Sequence, residues 1–141
     1  MQNNRQFRIG ALAVILVSLL ATSAFALADD SEQLLTANGK GTIKVGREAF
    51  ALSSVIIKLA PDGQADITLV SEITFFLKGK WSKDNTAPNI INLEITGGMT
   101  SGGAQGTGKL TIRADKSLDR FSAQGGTKTS ARKVIIDFVA N

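Results

Sequence analysis

The stretch that decides the fold runs from Phe50 to Trp81 and reads FALSSVIIKLAPDGQADITLVSEITFFLKGKW. It holds three short runs in which apolar and polar residues alternate, and polar or turn-forming residues separate the runs. Pro61-Asp62-Gly63 is the clearest turn, because proline fixes φ at the first turn position and glycine accepts the left-handed conformation that follows. Alternation with a period of two is typical of strands with one buried face, so the stretch predicts a β-hairpin followed by a third strand.

The rest of the chain after Gly39 repeats this pattern, and no segment keeps the 3.6-residue period of a helix. The sequence therefore predicts an all-β, antiparallel meander of about eight strands, which lie near Gly41–Val45, Phe50–Leu59, Ala65–Val70, Ile73–Trp81, Ile90–Thr96, Lys109–Ala114, Leu118–Ala123 and Lys133–Val139. The apolar phase changes at Ser53-Ser54, which predicts a bulge or bend there. Closure removes exposed edges, so we expect an up-and-down barrel, with a two-sheet sandwich as the alternative.

The N-terminal segment has the pattern of an export signal. Arg5 and Arg8 precede residues 9–28, which carry no charge and end in Ala24-Phe25-Ala26-Leu27-Ala28. Small residues at this exit are what signal peptidase requires, so we expect cleavage after Ala28, with Ala26 as the alternative, and a periplasmic or secreted protein. An uncleaved membrane anchor is the alternative, since about 20 apolar residues can also span a bilayer. The predicted organisation is a signal peptide (1–28), a polar lead, loose or with one helical turn (29–38), and a β-barrel domain (39–141).

The composition excludes several kinds of chemistry. The chain of 141 residues has no cysteine and no histidine, so it has no disulfide, no thiol or imidazole catalyst and no zinc site of the usual kind. The formal net charge of +4 includes Arg5 and Arg8, and it falls by two when the signal is removed. This small charge gives no support for nucleic-acid binding. We expect no enzymatic activity, metal or cofactor.

Alternation also predicts which side chains face the core. In the fourth strand Ile73, Phe75, Leu77, Gly79 and Trp81 share one face, and Thr74, Phe76, Lys78 and Lys80 share the other. In the fifth strand the inward set is Ile91, Leu93 and Ile95, and in the last it is Val134, Ile136 and Phe138. If the barrel is open inside, the residues that would line a site for a small apolar or amphipathic ligand are Phe75, Leu77, Trp81, Leu93, Ile95, Ile136 and Phe138.

Four successive elements of the chain carry a resemblance to a known family. They are Ile57–Gly63 with its Pro61-Asp62-Gly63 turn, the strand Ala65–Val70, Phe75 or Phe76 before Gly79-Lys80-Trp81, and Ile91–Ile95. In this order they are similar to the hairpin pattern of lipocalin-like (calycin) barrels. They are most similar to the N-terminal domain of NlpE-type copper-resistance lipoproteins, and the resemblance covers about 40 residues. It implies a barrel fold and no activity. The cysteines of those lipoproteins are missing here, so their lipid anchor and copper role do not carry over. True lipocalins have G-x-W in the first strand, whereas Gly79 and Trp81 lie in the middle of this chain, so the resemblance does not imply a lipocalin ligand pocket.

Three further groups of residues are candidate sites. Gly103–Lys109, GAQGTGK, fits the start of a phosphate-binding loop, but Leu110 takes the place of the Ser/Thr and begins a strand instead of a helix. We interpret Gly97–Gly108 as a flexible hairpin loop. Asp66, Glu72, Glu94 and Asp137 would serve a hydrolase only if two of them converged. Lys78, Lys80 and Lys83, with Phe76 and Trp81 between them, fit either an anionic partner or a solubilising strand face.

The function expected from the sequence is therefore binding without catalysis. The leading hypothesis is an exported barrel that binds a small apolar or amphipathic ligand or an envelope partner. The second is a structural or assembly protein of the bacterial envelope, which would have an exposed edge strand or apolar patch. A carboxylate-dependent hydrolase is the third.

Overall fold

Eight antiparallel strands follow one another and close into a barrel. The computed structural model describes residues 31–99 and 103–141, and Glu32–Asn141 form a compact unit. The strands are β1 (Gln33–Val45), β2 (Glu48–Leu59), β3 (Gln64–Val70), β4 (Thr74–Lys83), β5 (Ile90–Gly98), β6 (Ala104–Ile112), β7 (Leu118–Thr127) and β8 (Lys133–Ala140). The predicted all-β meander and its closure into a barrel are confirmed, and the architecture is compatible with a lipocalin-like fold.

Each strand pairs with the next, and β8 returns to pair with β1, where Ile43 lies opposite Ile136. Every second side chain points inward, because successive residues of a strand face opposite sides of the sheet. The inward faces predicted for β5 and β8 are confirmed. The largest side chains buried completely, or almost so, are Phe121, Phe138, Ile43, Ile57, Leu59, Ile67, Leu69, Leu77, Leu110, Leu118, Ile136 and Val55.

The bend predicted at Ser53-Ser54 is present in β2. Leu52 and Val55 are both buried although they differ in parity, so the strand changes phase between them. The pairing of β1 with β2 shifts register at the same level, between Asn38 and Gly41. An extra residue in one strand bends the sheet, and a bent sheet is what a closed barrel needs.

Two strands begin earlier than the sequence predicted. β1 starts at Gln33, inside the segment expected to be a loose or helical lead, and Leu35 and Ala37 are its first buried side chains. β6 starts at Ala104, inside the glycine-rich segment expected to be a loop, and β5 extends to Gly98. The inward positions of β6 are alanine or glycine up to Gly108, so the strand shows no apolar alternation there.

Ile73 differs from its predicted place as well. It precedes β4 and is 53% exposed, because the turn between β3 and β4 carries it out of the strand's inward row. The predicted signal peptide, residues 1–28, lies outside the described residues. Within the part of the chain that the structure describes, no helix is long and apolar enough to cross a membrane.

The loop between β4 and β5 is organised by Asp84. Its Oδ1 accepts hydrogen bonds from the Thr86 backbone N–H at 2.9 Å, the Thr86 hydroxyl at 2.8 Å and the Ala87 N–H at 3.1 Å. Its Oδ2 accepts one from the Asn92 amide at 3.1 Å. These bonds favour the ionised carboxylate and hold the pKa of Asp84 well below its ordinary value, the Thr86 backbone N–H contributing most.

We expect Asp84→Asn to make the free energy of unfolding depend less on pH in the acid range. A carboxyl whose pKa is lower in the folded state stabilises the protein above its unfolded pKa, about 3.9, and loses that contribution as the pH falls toward the folded pKa. The free energy of unfolding, measured with urea between about pH 5 and pH 2, should therefore fall less in Asp84→Asn than in the unchanged protein. Parallel curves for the two proteins would contradict this role of Asp84, since all other carboxyls are common to both.

Candidate functional site

Five of the seven residues predicted to line a ligand site meet inside the barrel. Leu77, Leu93, Ile95, Ile136 and Phe138 are buried, with exposed fractions from 0% to 6%. The cavity that borders Leu77, Ile95 and Ile136 has a volume of about 10 Å³. A ligand pocket needs about 300 Å³ or more, whereas a space of about 10 Å³ holds at most one water molecule. These five side chains therefore pack as core in the described structure.

The other two predicted residues lie at opposite ends of β4 and are half-buried. The Phe75 ring packs edge-on against Phe50, with 5.3 Å between ring centroids and 61° between ring planes. The Trp81 indole Nε1–H donates a hydrogen bond to the carbonyl oxygen of Ala60 at 2.7 Å. The Trp81 N–H also donates to Gly63 O at 2.8 Å, which ties the strand to the β2–β3 turn. Both rings thus pack at the margins of the core instead of lining an internal pocket.

We expect Trp81→Phe to lower the free energy of unfolding by about 1 to 2 kcal/mol, because phenylalanine keeps most of the packing but loses the bond to Ala60. The Ala60 carbonyl still accepts the Gly63 N–H at 3.0 Å, so no buried acceptor is left without a donor. Urea unfolding followed by circular dichroism measures the change, and Phe76→Leu, on the exposed face of the same strand, is the control. Equal midpoints for the two variants would show that the indole bond does not stabilise the fold.

An apolar groove lies on the outside of the barrel, where β4 begins and β5 ends. It has a volume of about 350 Å³ and is lined by Ile73, Thr74, Phe75, Phe76, Gly98 and Met99, which we call the apolar groove. Ile73 is 53% and Phe76 58% exposed, whereas Phe75 and Met99 are half-buried against the core. Large apolar side chains that lie exposed beside one another often mark a site that binds a ligand, a protein or a membrane.

The backbone of β5 builds one wall of this groove. The pairing of β4 with β5 shifts register at Lys78/Gly79, and the extra residue lies in β5. Beyond it Gly98 has φ 104° and Met99 has φ 54°, and the Met99 N–H donates to Phe76 O at 2.8 Å. A Cβ at Gly98 would lie 2.2 Å from that same carbonyl oxygen. Glycine at position 98 therefore lets β5 turn over β4 and places Met99 beside Phe76.

A second groove, of mixed polarity and about 560 Å³, crosses the outer face of β5 to β8. Its outward lining includes Asn92, Thr107, Lys109, Ser122, Gln124 and Asp137. Arg120 pairs with both oxygens of Asp137, at 2.9 and 3.1 Å. Leu93 and Ile136 also border this groove although they are buried, and Ile135, which is 38% exposed, adds an apolar side chain to its outward lining. It is a concave face of mixed polarity that carries one ion pair, between Arg120 and Asp137.

The other candidates from the sequence remain apart. From Ala104 on, Gly103–Lys109 is part of strand β6 and no helix follows it, so its amides cannot wrap a phosphate as the helical loop does. Asp66 lies opposite Lys58 and Lys78, whereas Glu94 lies opposite Lys80 and Thr107. The register therefore gives each of these carboxylates a basic neighbour and does not pair it with a second acid. Among the described residues no cluster of acidic, histidine or cysteine side chains could hold a metal ion.

The sequence does not predict the apolar groove, although one residue, Phe76, indicates an exposed apolar site. Phe76 falls on the polar parity of β4, where a phenylalanine has no core to join. Alternation places Ile73 on the inward face, and the glycine-rich composition places Met99 in a loop, so neither pattern groups these two residues with Phe76. Comparison of the chain with protein-family models, with curated proteins and with solved structures finds no match.

Proposed function

We propose that this protein is an exported, non-enzymatic binding module of lipocalin-like architecture that takes an apolar or amphipathic ligand in the apolar groove outside the barrel. One observation carries the proposal: Ile73 and Phe76 are more than half exposed around a groove of about 350 Å³, while the cavity that borders Leu77, Ile95 and Ile136 is about 10 Å³. A groove of that size accommodates a single acyl chain or aromatic ring system. The predicted signal peptide supports an extracytoplasmic location for this activity.

The chemistry of the groove favours a ligand that is partly apolar. Its side chains offer two aromatic rings, one isoleucine and one flexible methionine, and methionine adapts its shape to irregular ligands. The hydroxyl of Thr74 is the one polar side-chain group in this lining. A ligand bound here would thus gain most of its affinity from burial of apolar surface and keep its polar end in water.

The neutral fluorescent probe N-phenyl-1-naphthylamine tests this proposal. We expect the full chain to bind it with enhanced fluorescence, and Phe76→Ser to weaken the binding by about tenfold or more, since the serine removes most of one wall. Leu34→Ser is the matched control, because Leu34 is 62% exposed but lies near the other end of the barrel. Both variants have the same N-terminal segment, so any binding there is equal. Equal affinities of Phe76→Ser and Leu34→Ser would overturn the proposal.

One feature favours the alternative, an assembly protein of the envelope. β2 extends past β3, so among the described residues Glu48–Leu52 pair with β1 on one side and with no strand on the other. A free edge of this kind accepts an added strand from another chain. If this alternative holds, the protein elutes as an oligomer in sizing chromatography, and Ala51→Lys restores the monomer by placing a charge on the edge. Elution of the unchanged protein as a monomer at all concentrations would refute the assembly alternative.

A further inference from the structure

The two ends of the barrel differ in charge. Because the strands run as an antiparallel meander, the β1–β2, β3–β4, β5–β6 and β7–β8 loops all lie at one end, which we call the upper end. The described residues of these loops carry the cations Arg47, Lys128 and Arg132 and the single carboxylate Glu72. At the lower end the loops carry the carboxylates Asp62, Asp84 and Asp115 against Arg113 and Lys116. The upper end is therefore cationic and the lower end is not.

One cation of the upper end, Lys128, contacts β5, the strand that forms one wall of the apolar groove. The Lys128 ammonium donates to Thr96 O at 2.7 Å, three residues before Met99 in sequence. The backbone N–H of Lys128 donates to Gly103 O at 3.0 Å, so the β7–β8 loop lies against the β5–β6 loop on that side. The ammonium group of Lys128 is thus held on β5, at the same end of the barrel as the apolar groove.

Arg132 and Arg47 continue the cationic surface around the rim. Thr127 N–H donates to Arg132 O at 2.9 Å, and Gly46 N–H donates to Lys133 O at 2.8 Å, which joins the β7–β8 loop to the β1–β2 loop. A Cβ on Gly46 would lie 3.6 Å from the Arg132 Cδ, so the aliphatic stem of Arg132 runs over that turn. Both arginines are exposed and lack an acidic partner within 4.0 Å among the described residues.

From this charge complementarity we infer that the upper end docks on an anionic phospholipid bilayer. Ile73 and Phe76 enter the interfacial region, and Arg47, Lys128 and Arg132 face the lipid phosphates. Exposed apolar side chains flanked by long basic ones are the combination that binds anionic membrane surfaces, because burial of apolar area adds to electrostatic attraction. The inference rests on the proposed function, since the groove that takes the amphipathic ligand is the one that meets the bilayer.

Sedimentation with vesicles tests the electrostatic part. We expect the full chain to bind vesicles of phosphatidylcholine mixed with phosphatidylglycerol more tightly than vesicles of phosphatidylcholine alone, and the difference to shrink as salt is added. Each basic residue near the surface contributes about fivefold in partitioning, so Arg47→Gln, Lys128→Gln and Arg132→Gln together should lower binding by at least about tenfold. The control neutralises Lys58, Lys83 and Lys109, which lie away from the upper end and change the net charge equally. Equal loss in the two triple variants would overturn the inference.

A site-specific readout removes any contribution of the N-terminal segment. Trp81 is the single tryptophan of the chain, so Trp81→Phe gives a background without tryptophan fluorescence. In this background we expect brominated phosphatidylglycerol vesicles to quench the fluorescence of the tryptophan in Phe76→Trp but not of the one in Leu34→Trp. Quenching of neither tryptophan, or of both alike, contradicts docking by the upper end.

Probe binding and vesicle binding together distinguish the docking inference from the proposed function. The triple variant of the upper end should still bind the neutral naphthylamine probe, because its apolar groove is unchanged. Probe binding without a preference for anionic vesicles refutes the docking inference and leaves the proposed function standing. Equal probe affinities of Phe76→Ser and Leu34→Ser, together with a retained preference for anionic vesicles, refute the proposed function instead.

Discussion

Phe138→Ala is expected to lower the free energy of unfolding by about 3 to 5 kcal/mol, a large part of the 5 to 15 kcal/mol typical of a domain. Phe138 is completely buried and lies directly opposite Phe121, which is also completely buried. Truncation would remove a ring from a packed interior and leave a cavity that the closed barrel cannot collapse to fill. Urea unfolding of the full chain, followed by circular dichroism, measures the loss.

This result would also decide the role of Phe138, which the sequence predicted as a ligand contact. Val139→Ala is the matched control, because Val139 is the next residue in β8 and is 49% exposed. We expect the control to change stability by about 0.5 kcal/mol or less. A Phe138→Ala variant as stable as this control would mean that the ring borders open space, and the account of a filled interior would be wrong.

Gly125→Ala is expected to be the second most damaging change, with a loss of about 3 kcal/mol or failure to fold. Gly125 in β7 lies opposite Gly106 in β6. A Cβ at position 125 would lie 1.9 Å from Gln105 O and 2.7 Å from Gly106 Cα, so the two strands would have to separate. Both obstacles are backbone atoms, which cannot move aside as the end of a side chain can, and overpacking of this kind costs 1 to about 3 kcal/mol or more.

Gly97→Ala is the matched control for this prediction. Gly97 is also in a strand and in the glycine-rich segment, but a Cβ there would meet no heavy atom of the described residues within 4 Å. Its φ does not lie in the left-handed region, so alanine brings no backbone strain and should leave the midpoint of urea unfolding within about 0.5 kcal/mol of the unchanged protein. Similar stabilities of the two alanine variants would show that close approach of β6 and β7 is not what requires glycine at position 125.

The strands and their inward faces were predictable because alternation is a local property of the chain. Leu93 and Ile95 in β5, or Ile136 and Phe138 in β8, are two residues apart and must share a face once a strand forms. The Pro61-Asp62-Gly63 turn was predictable for the same reason, since its backbone preferences lie within three residues. The start of β6 was not, because Gly106 and Gly108 occupy inward positions without large side chains, and their role appears only when β7 lies against them.

The groove was beyond the sequence because it joins residues that are far apart in the chain. Phe76 and Met99 meet through a register shift between β4 and β5 and a left-handed turn at Gly98, and neither can be read from alternation. The charge difference between the two barrel ends, in contrast, follows from the meander itself, because alternate loops lie at the same end and bring Arg47, Lys128 and Arg132 together there.

By itself, then, the sequence determined that this chain is an antiparallel meander with a continuous apolar face, since period and turn chemistry depend on neighbouring residues alone. The tertiary structure alone decided that the cavity between Leu77, Ile95 and Ile136 is only about 10 Å³ and that Ile73 and Phe76 form an exposed apolar groove. Interior volume depends on how side chains from all eight strands fill one another's gaps, and that packing has no counterpart in local sequence.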